Sequence, residues 1–385
     1  MTLGNVNAMK YSIQLDPTRL PAGIAYESAA AGQTSRRVLH SAVLLPDAGE
    51  IYWRFLDGFP KQLLDSAPSP LRIRAGEVDS FLAILPRDGN ATIYVNEPPI
   101  KLVAAANRVV KVGQPVSQND LLDIREVRFG DVEIPADAAF IAIVSVGWGK
   151  VACFDFTSLP PWSKLREESA WAVLAHGYVR LLFEALYRMS ESQWASLIAA
   201  HWFPFAGLRY DTASMFVEYI RNGWDPDELG TRVLAETKED LQMFRDRWSS
   251  NKLVEDDFPL LLRGLSALEA DDFITAVSVL TPRTEGILRR ISASQGRFVG
   301  KQSALAAIPH ELAAENSSPL SRLVPGRFSR FLEEAYFAGF DRENNPKSSR
   351  NAVGHGVLRA QDFDAKAALV AVLTLDHLLS HSMLI

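Results

Sequence analysis

The sequence predicts an α+β protein whose strands and helices are segregated along the chain: an N-terminal antiparallel β domain, then an all-α C-terminal part. Three observations predict it. Up to about residue 156, short runs rich in β-branched and aromatic residues alternate with turn signals. At Leu159-Pro160-Pro161-Trp162, two prolines stop any strand ladder and force an extended segment. Beyond them, apolar residues recur at helical spacing almost to the last residue.

In chain order, the expected strands are residues 38–45, 50–56, 71–74, 81–85, 91–95, 121–129, 139–146 and 150–156. Asp57-Gly58, Asp88-Gly89 and Gly130-Asp131 mark turns, and Trp148-Gly149 marks a hairpin tip between the last two strands. The polar–apolar alternation of Asp123-Ile124-Arg125-Glu126-Val127-Arg128-Phe129 suits a half-buried antiparallel sheet.

The first expected helix covers residues 165–188, with Trp171, Leu174, Tyr178, Leu181, Leu182 and Ala185 on its apolar stripe. Ser190-Glu191-Ser192-Gln193 has the capping-box pattern and opens the next one. Asp211, Asp225 and Thr237 are further candidate starts. Residues 271–292 form a helix that Pro282 should kink, and residues 327–340 form another. Asp362 caps a last helix, 363–383, whose broad apolar side includes Leu369, Val372, Leu373, Leu378 and Leu379. One bundle core would leave part of that side exposed and available for self-association. The expected domains are 1–160, 163–255 and 256–385.

The chain has 385 residues, 48% of them hydrophobic, which is enough for a real core and excludes global disorder. Its net charge of −6 argues against a globally basic nucleic-acid coat protein. The single cysteine, Cys153, forms no internal disulfide and no cysteine-based zinc site, so a cytoplasmic setting is expected. Cys153 itself reads as a small core residue. No run approaches the ~20 apolar residues that span a bilayer, so no membrane partner is expected. The G-x-S-x-G, phosphate-loop and dinucleotide fingerprints are missing, and no cofactor is expected.

The strongest chemical signal is Arg350-Asn351-Ala352-Val353-Gly354-His355-Gly356. In a helix, Arg350 and His355 stand roughly 140° apart and share an edge, while Asn351 and His355 stack on one face. Arginine holds phosphate oxygens through two donors, and histidine gives or takes a proton near neutral pH. Metal-free RNA cleavage needs those functions: a base on the 2′-hydroxyl, an acid at the leaving oxygen, and charge stabilisation of the phosphorane. The competing reading is a helix start with a surface arginine and a histidine packed beside two turn glycines.

Arg350-Asn351-x-x-x-His355, ending His355-Gly356, resembles the R-x4–6-H motif of the HEPN superfamily. Upstream, Asp272-Phe273-Ile274-Thr275-Ala276 and Leu280-Thr281-Pro282-Arg283-Thr284-Glu285-Gly286-Ile287-Leu288-Arg289 resemble the first long helix of abortive-infection-type members. Gly354 departs from the bulkier residue usual in that interval. The resemblance covers about residues 255–385. It implies a helical bundle, a homodimer in which two motifs form one site, and an endoribonuclease acting on RNA in a bacterial toxin or antiphage-defence setting. His355 would be the acid/base, Arg350 the phosphate clamp and Asn351 the positioning residue. The 1–160 domain would then be a sensor or regulatory module answering a trigger or partner. The alternatives are a HEPN-like module that binds RNA or a nucleotide without cutting, and a partner subunit of a larger defence assembly.

Local charge suits a phosphate partner. Residues 281–360 hold twelve Lys/Arg and seven Asp/Glu, a net +5. Arg283, Arg289, Arg290, Arg297, Arg342 and Lys347 are the candidate backbone contacts, unless they are merely solvated. Glu285 either pairs with Arg289 at i,i+4 or orients Arg350 or His355. His377 and His381, also i,i+4, lack the glutamate of a zinc-protease motif, and no metal site is expected. His176 and His201 read as core residues, and His310 stands alone.

Overall fold

The computed structural model describes residues 8–14, 25–28, 34–37, 41–65, 73–86, 88–135, 138–155, 169–315, 320–340 and 346–382. The expected segregation is present, with an antiparallel sheet in the N-terminal part and helices in the C-terminal part. The chain divides into two compact units, Met1–Ala104 with Ile124–Leu182, and Ala105–Asp123 with Phe183–Ile385. The proline break expected at residues 159–162 lies outside the described residues, as does Arg342.

The first unit contains β1 (Met9–Gln14), β2 (Ala25–Ser28), β3 (Thr34–Arg37), β4 (Ser41–Leu44), α1 (Glu50–Asp65), β5 (Ser80–Leu85) and β6 (Asn90–Val95). After these come β7 (Ile100–Ala106), β8 (Leu121–Phe129), β9 (Ala139–Val146), β10 (Gly149–Asp155) and α2 (Ala170–Leu182). Six strands make one sheet in the order β1-β6-β5-β9-β10-β4, antiparallel throughout. Every residue of β5 is buried, because the sheet is covered on both faces. Tyr52, Leu56, Phe59 and Leu63 of α1 join Phe81, Ala83, Ile141, Ile143 and Phe154 in one core. On the other face α2 approaches so closely that a Cβ on Gly177 would stand 2.4 Å from Val151 and 2.5 Å from Val43. Cys153 is buried in β10, and burial pushes its thiol up to about 12.

Two expected strands depart from the structure. Residues 50–56 start α1, and Asp57-Gly58 lies inside that helix. Tyr52, Leu56, Phe59 and Leu63 repeat at intervals of four, three and four, which is helical spacing. Ile51 and Trp53, which made the run look like a strand, are 59% and 58% exposed. Residues 73 and 74 of the expected 71–74 strand are not in a strand, and 71 and 72 lie outside the described residues. β1, the β2–β3 hairpin and β7 were not expected. The hairpin tip is Gly147-Trp148, with Val146 paired to Gly149 and Gly147 at φ 58°.

The second unit contains α3 (Glu184–Tyr187), α4 (Glu191–Ala199), α5 (Tyr210–Asn222), α6 (Gly230–Glu239), α7 (Leu241–Ser249) and α8 (Phe258–Glu269). It continues with α9 (Phe273–Ser294), α10 (Gln302–Glu315), α11 (Pro325–Phe331), α12 (Arg350–Gly354) and α13 (Ala365–Ser382). Two caps match their sequence signals: Ser190 and Gln193 form the expected capping box, and Asp225 caps the 3-10 turn Pro226–Leu229. The helix expected over 271–292 is α9, capped by Asp272. Thr237 instead lies buried within α6. Asp211 is in the first turn of α5, whose N-cap is Arg209. The expected 165–188 helix breaks at Phe183. The helix expected over 327–340 becomes α11 followed by a π-helical turn, Leu332–Tyr336. Asp364, rather than Asp362, caps α13 through a 2.9 Å bond from Ala367 N–H.

α13 is buried from Ala367 to His381, so its apolar side is covered within one chain. A helix apolar all round sits inside its own bundle, and the expected exposed remainder is not there. Nor does the helical unit begin at residue 163. Segment 105–123 belongs to it: buried Arg322 donates to Asn119 O at 2.7 Å and to Leu208 O, and Leu122 packs with Ala206 and Leu323. Burial pulls the Arg322 guanidinium down to about 10. Among the described residues, no helix is long and apolar enough to cross a membrane.

Candidate functional site

α12 is a single turn of helix, too short to hold its shape from propensity alone. Its neighbours hold it. Ser349 caps it, accepting from Asn351 N–H at 3.2 Å and donating to Ala338 O at 2.6 Å. Asn351 makes a reciprocal amide pair with Gln302, at 2.8 and 3.0 Å, and donates to Phe337 O at 2.8 Å. Its amide therefore anchors the helix to α10 and to the chain just after the π-helical turn. Such turns are rare and occur often at functional sites.

Arg350 folds back over its own helix. Its Nε lies 2.6 Å from Glu285 Oε2, and its Nη1 would stand 2.7 Å from a Cβ at Gly354. The departure from the HEPN pattern at Gly354 thus has a local reason: the guanidinium fills the space a side chain would take. Glu285, on α9, accepts hydrogen bonds from Arg289 Nε and Nη2 at 3.1 and 2.6 Å. Both expected roles of Glu285 are met by one carboxylate between two arginines. Beneath them, Tyr336 donates to Thr281 O at 2.9 Å and lies 3.0 Å from Thr284 Oγ1. Burial raises its phenol, and the Arg350 charge opposes that rise.

His355 is the C-cap residue of α12 and is exposed. Its ring lies 5.2 Å from that of Phe340, at 45°. Gly356 follows at φ 66°, the left-handed conformation that ends many helices. The arrangement presents a solvent-facing imidazole at the end of α12 and, at its start, a guanidinium that is paired and half-buried.

The candidate phosphate contacts are engaged with carboxylates. Arg290 pairs with Asp257, and Arg283 lies 3.9 Å from the same residue. Arg289 binds Glu285 and Val299 O. Arg297 binds Glu311 at 2.9 Å and also Glu315. Lys347 binds Asp364 at 3.0 Å. Asp257 and Asp364 lie outside residues 281–360, so the +5 counted along that stretch is partly offset in three dimensions.

His377 and His381 are core residues. His377 Nδ1 accepts from Ala206 N–H at 2.9 Å, and its Nε2 faces Leu323 O at 3.1 Å. Burial drives His377 well below the ordinary histidine range and His381 to about 3. Among the described residues, no three His, Cys, Asp or Glu side chains are grouped to hold a metal ion. His201, expected in the core, is only partly buried, and its Nδ1 lies 2.9 Å from Ser348 Oγ, two residues before Arg350. Its one sequence signal is its place at the end of α4, where glycine is usual.

Comparison with family models, with curated proteins and with solved structures finds no match to the chain. The likeness to the HEPN superfamily therefore rests on the residues quoted above.

Proposed function

We propose that the chain is a metal-independent endoribonuclease acting through Arg350 and His355. The observation that carries this reading is the exposed His355 imidazole at one end of a braced helix whose other end holds the Arg350 guanidinium. His355 takes the proton from a 2′-hydroxyl or returns one to the 5′-leaving oxygen. Arg350 stabilises the charge that develops on the phosphorane. The products are a 2′,3′-cyclic phosphate and a 5′-hydroxyl end. Asn351, its amide taken up by Gln302 and Phe337, acts on the helix rather than on the substrate. One imidazole serves one proton transfer at a time, so two chains meeting at their motifs complete the site, as the resemblance implies. The toxin or antiphage setting, the cytoplasmic location and a regulatory partner for the N-terminal unit belong to the same reading.

A second reading is a module that binds RNA or a nucleotide without cutting it. The ion pairing of Arg350 and of the neighbouring cations favours it, since each carboxylate must be displaced before a phosphate is gripped. Incubating purified protein with total RNA in EDTA separates the two. Cleavage with 2′,3′-cyclic phosphate ends supports the nuclease. Activity that vanishes in EDTA and returns with magnesium overturns the metal-independent mechanism, and RNA retained intact supports the binding module.

A further inference from the structure

α4 closes with a pair of backbone bonds. His201 N–H donates to Ile198 O at 2.8 Å, and Trp202 N–H donates to Leu197 O at 3.1 Å. This pattern places residue 201 in the left-handed region, and His201 is there at φ 54°. Glycine fits that turn best, because any Cβ crowds the backbone. A histidine held against this preference points to work done by its side chain.

The side chain reaches the segment that carries the candidate site. His201 Nδ1 lies 2.9 Å from Ser348 Oγ, and Ser348 adjoins Ser349, the cap of α12. The charged groups acting on the imidazole are Lys366 from α13 and Asp227 from the 3-10 turn. Lys366 and Trp202 Nε1 both donate to Asp227 Oδ1, so that carboxylate is already committed. Lys347, next to Ser348, is committed to Asp364. Burial first, then the Lys366 charge, holds the His201 pKa below the ordinary histidine range. At neutral pH the imidazole is therefore uncharged, and with its proton on Nε2 its Nδ1 accepts from the Ser348 hydroxyl.

We infer that His201 is a positioning residue for the Arg350 helix: its bond to Ser348 ties the start of α12 to the end of α4, and protonation of the imidazole loosens that tie. A protonated Nδ1 donates, so the Ser348 hydroxyl must turn to accept from it, and the tie is loosened because the new charge is partly buried and faces Lys366. The sign follows from the lowered pKa. The tie is complete at neutral pH and is lost as pH falls through the depressed value. The effect on cleavage rests on the proposed nuclease reading, whereas the tie itself does not.

The test uses the full chain and two variants. Both glycine and asparagine accept the left-handed turn. His201→Asn also places Oδ1 where Nδ1 stands, keeping an acceptor that does not titrate. His201→Gly removes the acceptor. Hydrogen exchange of a peptide covering residues 346–355 is measured at pH 7.5 and at lower pH, alongside thermal melts and RNA cleavage. We expect His201→Gly to melt no lower than wild type, yet to exchange about fivefold to tenfold faster over 346–355 and to cleave more slowly. His201→Asn should keep wild-type exchange at pH 7.5 and lose the acid-induced rise. Wild-type exchange in His201→Gly, or the same rapid exchange in both variants, overturns the inference. A wild-type protein that cuts no RNA refutes the nuclease reading, and the exchange data still decide the tie.

Discussion

Gly354→Ala separates the seat of Arg350 from the stability of the fold. The added Cβ would stand 2.7 Å from Arg350 Nη1 and 3.4 Å from Cζ, well inside the ~3.5–4.0 Å of a comfortable heavy-atom contact. Gly354 is in helical backbone, so alanine itself is not strained there. Alanine in a helix interior gains about 0.8–1.0 kcal/mol over glycine, and less at this last helical residue. Against that gain, the guanidinium must swing away from Glu285. Arg350 Nε and Glu285 Oε2 form an ion pair without hydrogen-bond geometry, which contributes about 0–1 kcal/mol, and Glu285 keeps Arg289 as a partner. The two effects nearly cancel, leaving a change within about 1 kcal/mol and a shift of a few degrees at most in melting temperature. Cleavage should respond far more, because a misplaced electrostatic stabiliser typically loses about 10²–10³-fold. Gly286→Ala is the control, since its Cβ meets nothing within 4 Å and it lies in α9. Both variants are compared with wild type by thermal melt and by RNA cleavage at equal folded concentration. Equal cleavage by Gly354→Ala and Gly286→Ala would refute the claim that Arg350 works from its seat over Gly354.

Three further predictions concern the motif and an acid-sensitive brace. Asn351→Ala should lose about 1–3 kcal/mol, because it strands the Gln302 amide and Phe337 O. His355→Ala, at an exposed position, should stay within about 0.5 kcal/mol of wild type while losing about 10²–10⁴-fold in cleavage; undiminished cleavage would remove His355 from the site. Hydrogen bonds from Arg108 first, and then from Ser117, hold the Asp120 carboxyl at about 2. A depressed carboxylate pKa means the brace stabilises above the unfolded value of about 3.9 and is lost as pH falls through about 2. Amide exchange over residues 108–120 should therefore rise between pH 4 and 2 in wild type and lose that dependence in Asp120→Asn; identical profiles would sink the assignment.

Much of the fold could be read from local chemistry, and the exceptions have identifiable causes. The capping box at Ser190, the Asp225 cap, and strands 121–129 and 139–146 fall where short-range signals put them. Residues 50–56 read locally as a strand because Ile51, Tyr52, Trp53 and Phe55 are strand-favouring types. Whether Ile51 and Trp53 face solvent depends on the sheet that α1 covers, which no local window contains. The division into units depends on distant partners as well. Segment 105–123 belongs to the helical unit because Asn107, Asn119 and Leu122 meet Arg247, Arg322 and Leu323, and contacts of that range leave no periodic trace. A cut near residue 160 would therefore split the helical unit, so activity lost by a 163–385 fragment would not assign catalysis to the N-terminal sheet.

The candidate site shows the same limit more sharply. Arg350, Asn351 and His355 were found together because their spacing is local, and α12 places them on one short turn. What each does there is set from elsewhere. Gln302 turns Asn351 into an anchor, Glu285 turns Arg350 into a paired cation, and Phe340 lies beside the His355 ring. The basic excess along 281–360 suits a phosphate partner, yet Asp257 and Asp364 supply carboxylates from outside the counted stretch. A phosphate would have to outcompete those carboxylates, and since each RNA phosphodiester carries one negative charge, it does so only when several phosphates meet several cations at once. Glu285 therefore sets a threshold on what Arg350 will accept: a weakly held anion leaves the pair intact, and a polyanion backed by neighbouring contacts displaces it. On this argument the glutamate that favours the binding-module reading is equally what a nuclease would use to keep Arg350 occupied until its substrate arrives.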